Sequence, residues 1–187
     1  SRMLRILVSS VLFVTLSRAS FCGDSTIPYS LEVLQDCQPV LGCARLSCFG
    51  WTPDGRPASS TGSFFLINGQ ADGFLREGPD SIPPYGSEDA RYDSPQTAIC
   101  DHSFSSDNCA GSNQWVGGIA PLLNITSFPT TLQCCTLEAL LQSEDRGVAS
   151  LHDGHMVIGG EKRSEKGILY GFDYISDVTK ILRPDGS

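Results

Sequence analysis

The 187-residue chain carries 13 Lys and Arg against 21 Asp and Glu, a net charge of −8, with 40% hydrophobic residues, 19 Gly, 11 Pro and 8 Cys. Phosphate binding draws on clustered Lys and Arg, so this balance argues against nucleic acid and anionic membrane surfaces as partners. The densest basic group, Lys162, Arg163 and Lys166, is diluted by Glu161 and Glu165 and is expected to be a solvated loop or turn.

Residues 6–16 (ILVSSVLFVTL) form an apolar run preceded by Arg2 and Arg5 and followed by the small residues Ser17 and Ala19. The pattern predicts a secretory signal peptide over 1–19. The run falls short of the roughly 20 apolar residues that a membrane span requires, and no other segment of the chain supplies them. Removal of the leader takes three arginines and no acid, leaving a more acidic domain over 20–187, expected to be soluble, secreted and extracellular.

All eight cysteines, Cys22, Cys37, Cys43, Cys48, Cys100, Cys109, Cys134 and Cys135, lie beyond this leader. In an oxidising compartment the even count predicts complete pairing into disulfides, although sequence leaves on the order of a hundred connectivities open. Zinc is the rival explanation: Cys43 and Cys48 stand at a loosely suitable spacing, but no matching second pair follows. Adjacent Cys134 and Cys135 point in different directions on an extended backbone and are expected to reach two separate partners.

Along the chain, residues 30–34 (SLEVL) and 38–41 (QPVL) predict short extended pieces, and residues 51–62, rich in Pro, Gly, Ser and Thr, predict a loop. Residues 63–67 (SFFLI) have strand propensity and run into Asn68-Gly69, a hairpin signal, with Asp72-Gly73 a second turn signal ahead of Phe74 and Leu75. Residues 77–95 predict a long surface loop or an internal linker, which could divide the domain into two lobes. Asn124-Ile125-Thr126 is a glycosylation sequon; the competing expectation is that Leu122, Leu123 and Ile125 bury it.

Residues 136–146 (TLEALLQSEDR) carry the strongest helical pattern, with Thr136 placed to cap the start, Gly147 to end it, and Leu137, Leu140 and Leu141 on one face. Asp153-Gly154 predicts a hairpin between 148–151 and 156–158, and residues 167–182 predict one bent strand or two shorter ones. The resulting expectation is an α+β, β-rich, disulfide-stapled domain with one short helix near 136–146.

Catalytic and cofactor signals are weak. His152-Asp153-Gly154-His155 has a spacing that could ligate a metal, but it straddles a turn and lacks the helical Glu of the common metalloprotease motif. Asp101-His102-Ser103 juxtaposes the residue types of a triad, yet triads are assembled by spatial geometry, and no Gly-x-Ser-x-Gly elbow is present. Neither Gly-x-Gly-x-x-Gly nor a Walker loop occurs, so no enzyme activity, cofactor or metal is predicted. Phe49, Trp51, Phe64 and Phe65 are candidate anchors for a protein partner, with burial in a core as the competing expectation.

The segments FCGDSTIP, SLEVL and QPVLGCARLSCFGW within residues 21–51 resemble the amino-terminal Wart domain of the Warthog proteins, a nematode family related to Hedgehog. DGFLR at 72–76, the Cys134-Cys135 pair, and Gly159-Gly160-Glu161 followed by GFDYISDVTKIL extend the resemblance over nearly the whole mature part. Cys37 departs from it, standing where a small or polar turn residue is expected. The resemblance implies a secreted protein of cell–cell communication and development, active in epidermis or cuticle, binding an extracellular or cell-surface protein and without enzyme activity in the Wart part. Association with cuticle or matrix as a structural component is the alternative it leaves open. Many members add a Hint module that begins with a nucleophilic cysteine. No cysteine follows Cys135 here, so autoprocessing and sterol attachment are not carried over to this sequence.

Overall fold

In the computed structural model the described residues are 20–46, 49–53, 56–59, 61–62, 65–67, 70–72, 75–76, 97–120 and 130–182. The leader, the whole of 77–95 and the sequon at Asn124 lie outside them, as do Cys48, Phe64, Asn68 and Gly69. The strands are β1 (Ser20–Phe21), β2 (Ile27–Val33), β3 (Pro39–Ala44), β4 (Phe65–Ile67), β5 (Gln70–Asp72), β6 (Leu75–Arg76), β7 (Ile99–Cys100), β8 (Gln114–Ile119), β9 (Leu132–Thr136), β10 (Met156–Ile158), β11 (Gly160–Arg163) and β12 (Leu169–Asp173).

Two four-stranded sheets carry the domain. One has the order β1-β8-β9-β7, and the other β10-β2-β3-β6. All their pairings are antiparallel except β3 with β6. In the first sheet, β8 (QWVGGI) and β9 (LQCCT) are buried along nearly their full length, the pattern of strands covered on both faces. Successive side chains of a strand point to opposite faces. Val116, Leu132 and Cys134 accordingly enter one core cluster with Cys22, Leu41, Cys43, Cys109 and Ile119. Trp115 and Cys135 enter a second with Ile27, Leu46, Phe49, Ala98 and Leu140.

A bulge in each sheet gives the backbone somewhere to go. In β2, Pro28 opposes Cys43 and Ser30 opposes Gly42, so Tyr29 is the extra residue. The carbonyls at this bulge point outward to other segments: Tyr29 accepts from the Gly159 N–H at 2.6 Å, and Pro28 from the Ile175 N–H at 2.9 Å. In β8, Val116 opposes Cys134 and Gly118 opposes Gln133, leaving Gly117 unpaired with β9. Its carbonyl accepts from the Cys22 N–H at 2.8 Å, which carries the chain from β1 towards the second sheet.

After β12 the chain crosses both sheets as a strap. Ile175 bonds to Pro28 of β2, the Ser176 carbonyl accepts from the Val116 N–H of β8 at 2.9 Å, and the Asp177 carboxylate accepts from the Cys109 N–H at 2.9 Å. Ile175 and Val178 pack on the first cluster, and Phe172 and Tyr174 on the second. Of the bent or double strand predicted over 167–182, the first half forms β12, and the second makes no ladder of its own.

The helix expected at 136–146 is absent. Among the described residues the helical structure is a single 3-10 turn at Glu138–Gln142, so the domain is β-rich without the α component that an α+β assignment requires. Thr136 does not cap: it is the last residue of β9, held opposite both Ile99 and Gln114. Leu137 remains extended, with φ −143° and ψ 126°, and the turn ends at Ser143, again extended. Of the three leucines spaced for one helical face, Leu140 is buried and Leu141 is 57% exposed. A segment this short gains little from intrinsic helix stability and needs a docked face, which one buried leucine does not supply.

The turn signals fare differently. β4 and β5 pair with Ile67 opposite Gln70, leaving positions 68 and 69, where Asn-Gly stands, between the paired ends. At Asp153-Gly154 the turn forms, with the His155 N–H bonded to the His152 carbonyl at 2.9 Å, but the expected hairpin does not. Residues 148–151 form no strand, and β10 pairs with β2. Lys162 and Arg163 lie in β11, not in a loop; Lys162 pairs with Asp173 at 3.0 Å and Arg163 with Glu161 at 2.6 Å.

Gly117 gives the sharpest test of this packing. A β-carbon there would overlap the Cys135 Sγ and lie 3.2 Å from the Phe21 ring and 3.3 Å from the Gln133 carbonyl. Gly117→Ala is therefore expected to destabilise the domain by about 1–3 kcal/mol, the usual cost of overpacking a dense interior, measured by denaturant unfolding under non-reducing conditions.

Candidate functional site

Three disulfides are described: Cys22–Cys43, Cys100–Cys135 and Cys109–Cys134. Each has a distinct mechanical task. Cys22 follows β1 of the first sheet and Cys43 lies in β3 of the second, so their bond joins the sheets. Cys134 faces the first cluster and bonds Cys109 from the segment before β8. Cys135 faces the second cluster and bonds Cys100, its direct partner across β7 and β9. The vicinal pair thus takes two partners on opposite faces of one strand.

Complete pairing of all eight cysteines does not hold. Cys37 is unbridged and exposed, and Cys48 lies outside the described residues. Cys37 occupies the tip of the β2–β3 hairpin, with its N–H bonded to the Leu34 carbonyl and the Leu34 N–H to the Gln38 carbonyl, each at 2.9 Å. This is a three-residue connection whose last residue takes the left-handed region, φ 63° for Cys37, which Gly or Asn adopts at lower cost.

Two of the proposed aromatic anchors, Phe49 and Trp51, are not on the surface. Phe49 is 2% exposed and Trp51 1% exposed. Phe49 meets the edge of Trp115 with ring centroids 5.9 Å apart at 84°, and the Trp51 Nε1 donates to the Leu46 carbonyl at 2.8 Å while Arg45 lies over its ring. Both therefore belong to the interior, as the competing expectation had it. Phe65 stands in β4, and Phe64 and Asn124 lie outside the described residues.

The remaining polar candidates do not assemble. Asp101 directs its carboxylate to the Cys134 N–H at 3.3 Å and the Ser106 hydroxyl at 3.5 Å, and its carbonyl accepts from the Gln133 side-chain amide. It thereby organises the approach to β9 and is not aimed at His102, which is exposed. His152 and His155 sit on the exposed 152–155 turn with ring centroids 5.6 Å apart. Among the described residues no group of three or more His, Cys, Asp or Glu is placed to hold a metal ion, and no helix is long and apolar enough to cross a membrane.

Four of the exposed large apolar side chains fall between β10 and β12. Met156 (48% exposed) and Ile158 (61%) stand on β10, and Tyr170 (72%) on β12, with Ile168 in the connection before it. β10 is the edge of its sheet. The bonds from Val33 N–H to His155 carbonyl and from Gly159 N–H to Tyr29 carbonyl show that the odd-numbered positions face β2. The main-chain groups of Met156 and Ile158 consequently point away from the sheet. The sequence reading missed this surface because the 148–158 hairpin it expected would have covered β10.

Comparison with known proteins gives these features a family. Residues 87–187 match the Warthog N-terminal signalling domain. The chain is 47% identical over 168 residues to Warthog protein 4 of Caenorhabditis elegans, covering 89% of this chain and 30% of that protein. It is 41% identical over 167 residues to Warthog protein 8 and 38% identical over 166 residues to Warthog protein 1, both of the same nematode. These cover 89% of this chain in each case, and 30% and 33% of the relatives. The chain belongs to the Warthog family, and it spans about a third of the length of the relatives it matches. No solved structure matches it.

Trp51→Ala is expected to cost about 3–5 kcal/mol, as removal of a buried aromatic does, and to act on unfolding and not on a surface function. Thermal melts of the variant under non-reducing conditions check this. In the native protein Cys37 is expected to be labelled by iodoacetamide without denaturant, whereas Cys22, Cys43, Cys100, Cys109, Cys134 and Cys135 are labelled after reduction; peptide mass mapping distinguishes the two sets.

Proposed function

We propose that this chain is a secreted, non-enzymatic signalling domain of the Hedgehog-related kind, acting in cell–cell communication and development by binding an extracellular protein. The match of residues 87–187 to the Warthog N-terminal signalling domain carries this reading. The disulfides support it, because such bonds persist in oxidising compartments outside the cytosol, as does the apolar leader over 1–19. The partner surface is assigned to β10 and the β11–β12 hairpin. An edge strand with outward main-chain donors and acceptors, flanked by exposed Met156, Ile158 and Tyr170, offers both strand addition and apolar anchoring.

The test is binding of labelled protein, purified from a secretory expression host, to nematode cells. Saturable, competable binding is expected. Ile158→Ser with Tyr170→Ala is expected to weaken it by about tenfold or more while leaving the melting temperature unchanged, because both side chains are exposed. Retention in the producing cell, detergent-resistant incorporation into cuticle in place of competable binding, or equal affinity of the double variant would overturn the reading.

A further inference from the structure

Residues 141–150 are exposed without exception, and from 143 to 152 the backbone forms neither helix, strand nor turn. Val148 is 97% exposed, and Ser143 is extended with φ −72° and ψ 146°. Among the described residues, the one hydrogen bond made within 144–150 runs from the Gly147 N–H to the Asp145 carboxylate at 2.8 Å. Gly147 has φ +98°, yet a β-carbon there would meet nothing within 4 Å, so packing does not enforce its conformation. In the middle of this segment stands Arg146, a long exposed cation.

We propose that the Arg146–Gly147 peptide bond is a processing site for an extracellular arginine-directed serine protease. Such an enzyme binds its substrate as an extended strand with the arginine in an acidic pocket, and here a whole segment can be lifted into the cleft by breaking one local bond. Glu144 and Asp145 precede the arginine, so the fitting enzyme has basic groups beside its arginine pocket. Hydrolysis adds water across the C–N bond, leaving a carboxylate on Arg146 and an amino group on Gly147. The extracellular location of the protease rests on the proposed function; the susceptibility of the bond does not.

The disulfides determine the product. All three described bridges, like every cysteine of the sequence, lie at or before Cys135, so none spans the cut. Beyond it lie β10, the β11–β12 hairpin and the strap, held to the rest by the β2–β10 ladder and the bonds of Ile175, Ser176 and Asp177. Cleavage therefore converts the strand bearing Met156 and Ile158, together with the strap, from tethered elements into a non-covalently docked second chain.

Limited digestion of the intact protein with dilute trypsin, followed by mass spectrometry, tests this directly. The first cut is expected after Arg146, slowed about tenfold or more in Arg146→Gln and unchanged in Lys166→Gln, since exposed, unbonded backbone is cut ahead of turns inside a hairpin. The two pieces should co-elute on native size exclusion and separate on a denaturing gel without reductant. A first cut at any other Lys or Arg, equal cleavage of Arg146→Gln, pieces still joined on the non-reducing gel, or pieces that part under native conditions would overturn the proposal. Because the digestion uses purified protein, its failure is independent of whether the chain is secreted or binds cells.

Discussion

Two adjacent disulfide-bonded cysteines on one strand set the terms for the rest of this domain. Cys134 and Cys135 must face opposite sides of β9, and each is bonded there, so the strand is fixed from both faces. A strand pinned in this way cannot slip by one residue, because a slip would exchange the faces of all its side chains at once. The register of β8 follows from β9. With it follow the burial of Trp115 on one side and Val116 on the other, and the division of the interior into two clusters. Close passage of the backbone beside the Cys135 sulfur then excludes any side chain at Gly117.

Covalent and non-covalent support are distributed unequally along the chain. Up to Cys135 the sheets are stapled to one another and internally, which removes conformational freedom from the unfolded state of that part. From Thr136 onward the chain returns to the same sheets without a described cross-link and is held by ladder pairing, bulge carbonyls and apolar contacts. The bulge at Tyr29 is central to this return. By taking two carbonyls of β2 out of the β3 ladder, it gives Gly159 and Ile175 acceptors, one on each side of the β11–β12 hairpin.

How much of this was legible in the sequence depended on whether local or long-range physics decided the outcome. Local chemistry survived at Asp153-Gly154, which makes its turn, and β4 pairs with β5 as the hairpin signal between them required. The divergence of Cys134 and Cys135 was legible because strand alternation alone requires it. Partner choice was not. β10 could have paired with 148–151 as a neighbour, and pairs instead with the edge of β2 that faces away from β3. At 136–146 the leucine spacing was helical, but Thr136 was already committed to β9, and tertiary pairing overrode a weak local preference. Phe49 and Trp51 were ambiguous for a related reason. Aromatic residues beside cysteines serve equally well as anchors or as core, and contacts made in the folded chain decide between them: Trp115 for Phe49, and the Leu46 carbonyl and Arg45 for Trp51.

The family match over 87–187 takes in the Cys100–Cys135 and Cys109–Cys134 bridges and also the elements beyond Cys135 that no described bridge reaches. Residues 87–187 carry the Warthog match, and their outer elements, β10 to β12, hold exposed Met156, Ile158 and Tyr170. The block at 21–51, where the resemblance was densest, is spent on structure: Cys22 and Cys43 join the sheets, Ile27 and Leu41 fill the two clusters, and Phe49 and Trp51 close the interior. Dense packing restricts which side chains such a buried block can carry, without making it the part that meets a partner. Side chains that stay exposed at the edge of a stapled scaffold are free to be chosen for the partner, since their replacement costs the fold little. The stapled part thus supplies rigidity, and the part beyond Cys135 carries the proposed partner surface that this rigidity keeps in place.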